Sequence, residues 1–244
     1  MDKTFECITF DLWQTLIIDQ PNWGKIRSDL RINTAFEILK SSGKNFEHKQ
    51  ISSAYTKCFE ECEEIRKNGL DISFRAQVNL FLSFIQYDLD NKLDESSIRQ
   101  IMNEYGYAFY EAPPVLAKGA IELLDYAKFK QYKIGLISNS GMTPGIIVKA
   151  YLEQIGILEF FHSMVFSDEL LVSKPAKKIF MKSLIDLQVM PEDAIHVGDN
   201  LETDIHGAIS NGLDAIWIKG YDTNEVITPP TYTINSLLEI KDIL

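Results

Sequence analysis

The chain has 244 residues, 45% of them hydrophobic and 24% charged, and a formal net charge of −11 at pH 7. That content allows a sizeable core and excludes a globally disordered chain. The acidic balance excludes nucleic acid and anionic membrane as default partners, so an anionic small molecule must be met by local lysines, backbone N–H groups or a cation.

The three cysteines, Cys7, Cys58 and Cys62, give no disulfide framework. Cys58 and Cys62 are spaced i,i+4 with no companion His or Cys nearby, so they read as helix-face residues rather than half of a zinc site. The first six residues carry Asp2 and Glu6 instead of a basic-then-apolar leader. No run approaches the roughly 18 apolar residues of a membrane span. The expectation is a cytoplasmic protein, monomer or homodimer, that engages neither membrane nor nucleic acid.

In chain order, residues 5–10 read as a buried strand ending in Asp11. A helical rhythm follows. Ile26, Leu30, Ala35, Ile38 and Leu39 mark one helix, closed at Ser42-Gly43. Ile51, Tyr55, Cys58, Phe59, Cys62 and Ile65 mark a second; Phe74, Val78, Leu82 and Ile85 a third; Ile98, Ile101, Met102, Tyr105 and Phe109 a fourth. No strand signal interrupts them before Pro113-Pro114, so residues 17–113 read as an all-helical insertion between core segments 1–16 and 114–244. Beyond Pro114 the pattern alternates: helix 120–128, strand 132–137, helix 146–155, strand 164–166, helix 176–187, strand 194–197, helix 203–210, strand 215–218 and a final helix 237–244. Alternation of this kind predicts an α/β fold with a Rossmann-like parallel sheet, whose functional residues gather at the carboxyl ends of the strands.

Asp11, Ser138, Lys174 and Asp199 each follow a strand or open a helix, and Asp204 lies five residues past Asp199. Strands one, two and four should be neighbours, bringing three carboxylates, a hydroxyl and an ammonium into one crevice. The acids would repel one another, and one at least would hold a proton at pH 7. A hard divalent cation such as Mg²⁺ removes that conflict and takes substrate phosphate as a further ligand. Lys174, Ser138 and the N–H groups of Leu12, Trp13, Asn139 and Ser140 can meet phosphate oxygens. Asp11 would then be a carboxylate nucleophile. Taken singly, Ser138-Asn139-Ser140-Gly141 also fits a turn, Lys174 a solvated lysine and Gly198-Asp199-Asn200 a tight turn; their order along the chain favours the site.

On these residues the chain resembles the haloacid dehalogenase-like (HAD) hydrolase superfamily, subfamily I with a helical C1-type cap. Phe10-Asp11-Leu12-Trp13-Gln14-Thr15-Leu16 is similar to motif I, Leu136-Ile137-Ser138-Asn139 to motif II, Lys174-Pro175 to motif III and Gly198-Asp199-Asn200-Leu201-Glu202-Thr203-Asp204 to motif IV. The resemblance implies catalytic roles for Asp11 and Lys174. It also implies substrate contacts from Trp13, Gln14, Thr15, Ser138, Asn139 and Lys174. Mg²⁺ would be held by Asp11, the carbonyl of Trp13, Asp199 and Asp204, the last directly or through water.

One position departs from that pattern. Phosphatases of the superfamily carry a second Asp two residues after the nucleophile, where this chain has Trp13; the Gly usual next is Gln14. Indole cannot transfer the proton, and a general acid/base contributes roughly 10²–10⁴ in rate. Three readings follow. The first is a Mg²⁺-dependent phosphatase of a small phosphate ester with another proton source, Asp19 and Asp168 being candidates. The second is a 2-haloacid dehalogenase, which has an aromatic Tyr at the Trp13 position and needs no proton for halide. Those enzymes lack the acids of motif IV and have a Tyr where Phe180 stands. The third is a catalytically weak phosphate-binding regulatory protein. Arg27, Arg31, Arg66 and Arg75 of the insertion are candidates for a second anionic group, or surface arginines, and Trp13 and Trp23 could stack on a ring.

Overall fold

The computed structural model describes residues 4–244. Residues 1–3, with Asp2 of the leader reading and the start of the expected first core segment, lie outside the described residues. Six strands form one all-parallel sheet. They are β1 (Cys7–Phe10), β4 (Lys133–Ser138), β5 (Ser163–Phe166), β6 (Ala194–Gly198), β7 (Asp214–Ile218) and β8 (Tyr232–Ile234), in the order β5-β4-β1-β6-β7-β8. Two short strands, β2 (Ile17–Ile18) and β3 (Val115–Leu116), pair antiparallel where the chain leaves and re-enters the sheet region.

Each sheet strand except the edge strand β8 alternates its side chains between two apolar layers, as the period of two requires. Ile8 and Phe10, Ile134 and Leu136, Ile195 and Val197, and Ile216 and Ile218 pack into one layer with helices α5 (Ala120–Phe129) and α6 (Gly145–Gln154). Cys7, Ile137, Ala194 and Ala215 face the other, with Ile179, Phe180 and Leu184 of α8 (Lys177–Leu187) and Ala208 of α9 (Gly207–Ser210). Burial on both faces explains why these strands read as continuous apolar runs.

Between β2 and β3 lie α1 (Trp23–Ser41), α2 (His48–Lys67), α3 (Phe74–Ile85) and α4 (Glu95–Glu111). Their apolar stripes close on each other in a separate cluster around Ile38, Leu39, Cys58, Cys62, Phe81, Leu82 and Tyr105. Cys58 and Cys62 are buried free thiols in that cluster, as the helix-face reading expects. Ser73 and Asp94 cap α3 and α4 through their side chains, accepting from Ala76 N and Ser97 N.

The structure departs from the sequence expectation in several elements: β2 lies inside the span 17–113 read as all-helical, and β3 and the short helix α7 (Ser167–Leu170) are additional. The predicted last helix is a 3₁₀ stretch, Leu237–Asp242, preceded by the unexpected edge strand β8. Pro229-Pro230 ahead of β8 reads as loop, and only Ile234 of its three residues is buried. The helix expected at 203–210 starts earlier, as a π-helical turn Leu201–His206 that runs into α9. Among the described residues, no helix is long and apolar enough to cross a membrane.

Candidate active site

The register of the sheet places β4 and β6 on either side of β1, so their carboxyl ends open into one crevice. Asp11 N donates to Val197 O at 2.8 Å, which carries the β1–β6 pairing one residue past the strand and holds the Asp11 carboxyl at the sheet's end. The chain then turns tightly: Leu12 O accepts from Leu16 N and Ile17 N, both at 2.9 Å. Gln14 sits in this turn at φ 59°. That left-handed backbone favours glycine and explains the family preference from which this chain departs.

Lys174 closes the crevice from the loop before α8. Its backbone N donates to Asn139 Oδ1 at 2.8 Å, and Asn139 Nδ2 donates to Lys174 O at 3.2 Å, so the two loops lock reciprocally. The Lys174 Nζ then donates to Asp11 Oδ1 and to Asp204 Oδ1, each at 2.6 Å. Asp204 Oδ2 accepts from Asn200 N at 3.1 Å, and Asn200 Oδ1 caps the π-turn by accepting from Glu202 N and Thr203 N. Gly198 is required here: a Cβ at that position would lie 2.4 Å from the Asp204 Cβ.

His196 supports Asp204 from below. Its Nε2 lies 3.5 Å from Asp204 Oδ1 and its Nδ1 lies 2.9 Å from Thr9 Oγ1. The network assigns the ring proton to Nε2, with Nδ1 accepting from the threonine hydroxyl. Burial lowers the His196 pKa and keeps the ring neutral.

Carboxylate oxygens of Asp11, Asp199 and Asp204 lie within 4.8 Å of one another. Burial pushes Asp11 up to about 6 against the pull of Lys174. Burial, then the charges of Asp11 and Asp204, push Asp199 to about 8. Burial acts on Asp204 too, but Lys174 and His196 together outweigh it and hold it at about 2. Burial disfavours the Lys174 ammonium, yet its two carboxylate partners raise its pKa overall and keep it charged. One ammonium thus stabilises two acids and leaves the third, Asp199, without an ion pair among the described residues. Three oxygen donors with an excess of negative charge could hold a hard divalent cation.

Ser138 is fully buried at the end of β4, with Oγ 3.5 Å from Asn139 O. Thr15 Oγ1 is buried with no hydrogen-bond partner. Beside the crevice lies a cleft of about 1120 Å³, whose walls include Trp13, Asn139 and Lys174 from the sheet side and Arg27, Arg31 and Arg66 from the helices. Of the substrate-binding candidates, Gln14, Thr15 and Ser138 are not part of that wall; Gln14 Oε1 accepts from Asp19 N at 3.2 Å. Asp19 does line the cleft but forms an ion pair with Arg27. Asp168 does not: its carboxylate accepts from Ser140 Oγ and from Gly145 N, which braces the loop after β4. Arg75 is paired with Glu95 at 2.9 Å on the exposed side, and Trp23 is likewise absent from the wall. The Trp13 indole packs edge-on against Phe109 (6.2 Å between centroids) with the Arg27 guanidinium 5.6 Å from its ring.

Sequence reasoning missed His196, Thr9, Thr143 and Tyr55. A signal existed for the first, since a histidine inside the apolar run 194–197 must find partners when buried. Nothing local marked the others.

A family model for haloacid dehalogenase-like hydrolases matches residues 32–218, and the chain belongs to that family. The chain is 40% identical over 90 residues to a glyceraldehyde 3-phosphate phosphatase of Methanopyrus kandleri, covering 36% of each chain. It is 33% identical over 129 residues to the pyrimidine 5'-nucleotidase YjjG of Escherichia coli, covering 52% of this chain and 55% of that one. These matches span between about a third and about half of those relatives' lengths. A 2-haloacid dehalogenase of Pseudomonas syringae shares the fold, with a TM-score of 0.67 at 19% identity over 100% of this chain and 98% of that one.

Proposed function

We infer that the protein is a Mg²⁺-dependent phosphatase of a small phosphate ester, working through a phosphoryl-aspartate on Asp11. The observation that carries this reading is the Lys174 ammonium, seated 2.6 Å from both Asp11 and Asp204 with Asp199 crowded beside them. Relatives named as phosphatases support the same class of reaction. Asp11, Asp199 and the Trp13 carbonyl would hold the cation, with Asp204, already committed to Lys174 and Asn200 N, behind them. When bound, the cation supplies positive charge that neutralises phosphoryl oxygens and the crowded acids.

The residues of the chain do the rest. Lys174 holds Asp11 ionised and fixes its orientation for attack on phosphorus. The P–O ester bond breaks as the Asp11–phosphorus bond forms, and the leaving oxygen departs as an alkoxide or aryloxide that takes its proton from solvent water. Ser138 Oγ and the N–H groups of Trp13 and Asn139 meet the charge that develops on the phosphoryl oxygens; Ser140 N, a candidate from the sequence, is committed to Ser167 Oγ at 2.8 Å. Water then attacks phosphorus, releases inorganic phosphate and restores the Asp11 carboxylate. Trp13 can pass no proton in either half, and Asp19 is tied to Arg27. Esters with good leaving groups are therefore the favoured substrates. Helices α1–α4, within residues 17–113, serve as a cap over the core of residues 1–16 and 114–244, excluding water and choosing the substrate.

Dehalogenation shares the fold and the aromatic residue after the nucleophile, but three clustered acids repel a haloacid carboxylate. One panel separates the readings: phosphate esters and 2-chloropropionate, each with Mg²⁺ and with EDTA. Phosphate release that needs Mg²⁺ and vanishes in Asp11→Asn is the expected result. Halide release indifferent to EDTA would establish the dehalogenase. Retained Mg²⁺ and phosphate binding without turnover would establish the binding protein.

A further inference from the structure

Three arginines of the helical layer are buried in the wall of the cleft: Arg27, Arg31 and Arg66, 6%, 4% and 7% exposed. A guanidinium cannot shed its charge by deprotonation, so each needs a counter-charge or a good substitute. Two have one. Arg27 is paired with Asp19, and Arg66 with Glu63 at 2.6 Å and Asp71 at 3.3 Å. Arg31 has no carboxylate among the described residues. Its Nε donates to Tyr105 O at 3.0 Å, Nη1 to Tyr55 Oη at 3.2 Å and Nη2 to Thr143 Oγ1 at 3.1 Å. The Tyr105 ring lies 4.7 Å from its central carbon.

These neutral partners fix the plane of the guanidinium without cancelling its charge. Three of its five N–H groups are spent, and one on each Nη is uncommitted, which suits an oxyanion. The Thr143 contact is supplied by the loop after β4, the loop that also carries Asn139 and is locked to Lys174. The fixed, uncompensated charge of Arg31 and the Lys174 ammonium therefore line the same cleft.

We propose that Arg31 binds a second anionic group of the substrate, so that the preferred ester carries an oxyanion, carboxylate or phosphate, remote from the scissile phosphoryl group. The proposal rests on the phosphatase reading for the position of the first group. Arg31 is a specificity residue, and its loss acts mainly through KM.

The test compares matched esters: 2-phosphoglycolate against ethyl phosphate for a carboxylate, and 1,3-propanediol bisphosphate against propyl phosphate for a second phosphate. In wild type, kcat/KM for the anionic member of at least one pair should exceed its neutral partner by about 10- to 100-fold, the worth of a charge-assisted bond. Which pair shows the preference tells the two sources apart. Arg31→Gln should bring that ratio to parity through KM, and Arg31→Lys should keep part of it. Parity in wild type for both pairs, or an unchanged ratio in Arg31→Gln, overturns the proposal. The wild-type ratios decide even where Arg31→Gln does not fold. If no ester is hydrolysed, p-nitrophenyl phosphate included, the phosphatase reading falls and calorimetry with Mg²⁺ decides for Arg31. Tighter binding of phosphonoacetate than methylphosphonate, lost in Arg31→Gln and kept in part in Arg31→Lys, supports the role; equal or absent binding of the two overturns it.

Discussion

The strand-end crevice and the arginine wall bury charge in opposite ways. At the strand ends, one ammonium serves two of three carboxylates and leaves a surplus of negative charge. In the helical wall, Arg27 and Arg66 are paired with carboxylates, while Arg31 is held by neutral acceptors and keeps its charge without an ion-pair partner among the described residues. The first arrangement suits a cation, the second an anion. In the proposed phosphatase, the metal and the phosphoryl group would answer the first and the remainder of the substrate the second, which would put chemistry with the sheet and choice of substrate with the helices.

The comparison breaks most sharply at Asp11. Asp11→Asn keeps the shape and removes the nucleophile, so phosphate release should fall to background in a coupled phosphate assay; retained turnover would mean another nucleophile. Next in size is Trp13→Asp, which adds the missing proton-transfer group. If the group is well placed, phosphate release should rise, a positioned acid/base contributing about 10²–10⁴ in rate. An unchanged rate would show that another group already supplies the proton. Lys174→Met strips both acids of their cation. Breaking a buried ion pair costs roughly 3–5 kcal/mol, and chemical denaturation should show a loss of that order. Gly198→Ala should displace Asp204, since the new Cβ would lie 2.4 Å from it, and lower Mg²⁺ affinity in a calorimetric titration more than it alters helix content.

The smallest effect is a pH dependence of the crevice. Asp11, raised from 3.8 to about 6, and Asp199, raised from 3.8 to about 8, are easier to protonate folded than unfolded. Their contribution to stability is complete below the unfolded value and is lost as pH rises through the folded ones. Asp204, lowered to about 2, acts oppositely and withdraws its contribution only as pH falls below 3.8. Without divalent cation, the unfolding midpoint should therefore drop between pH 4 and pH 8, other groups being equal, and Mg²⁺ should raise it more at pH 8 than at pH 5. An equal rise at both pH values would contradict the assignment.

The two regions were unequally legible from the sequence. Apolar runs ending in Asp11, Ser138 and Gly198-Asp199 carried the parallel sheet, because strands buried on both faces leave a continuous apolar trace. Their order also carried the crevice. Lys174 was legible as a charge but not as a bridge, since its two partners are 163 and 30 residues away. The arginine wall was legible only as a set of candidates. Which arginine is paired depends on where α1, α2 and the loop after β4 meet, and no periodicity encodes that. Gln14 shows a third case: its left-handed backbone is set by the tight turn around Leu12 and overrides the residue's own preference. The edge strand β8 escaped notice because two of its three residues are exposed.

In the proposed mechanism Asp11 carries the phosphoryl group in turnover. Acid-quenched reactions with an activated phosphate ester, analysed by mass spectrometry of the peptide containing Asp11, test this directly. A phosphoryl adduct on Asp11 should form with Mg²⁺, be absent with EDTA and be absent in Asp11→Asn. Phosphate release at full rate with no adduct on Asp11, or with the adduct on another residue, would contradict it.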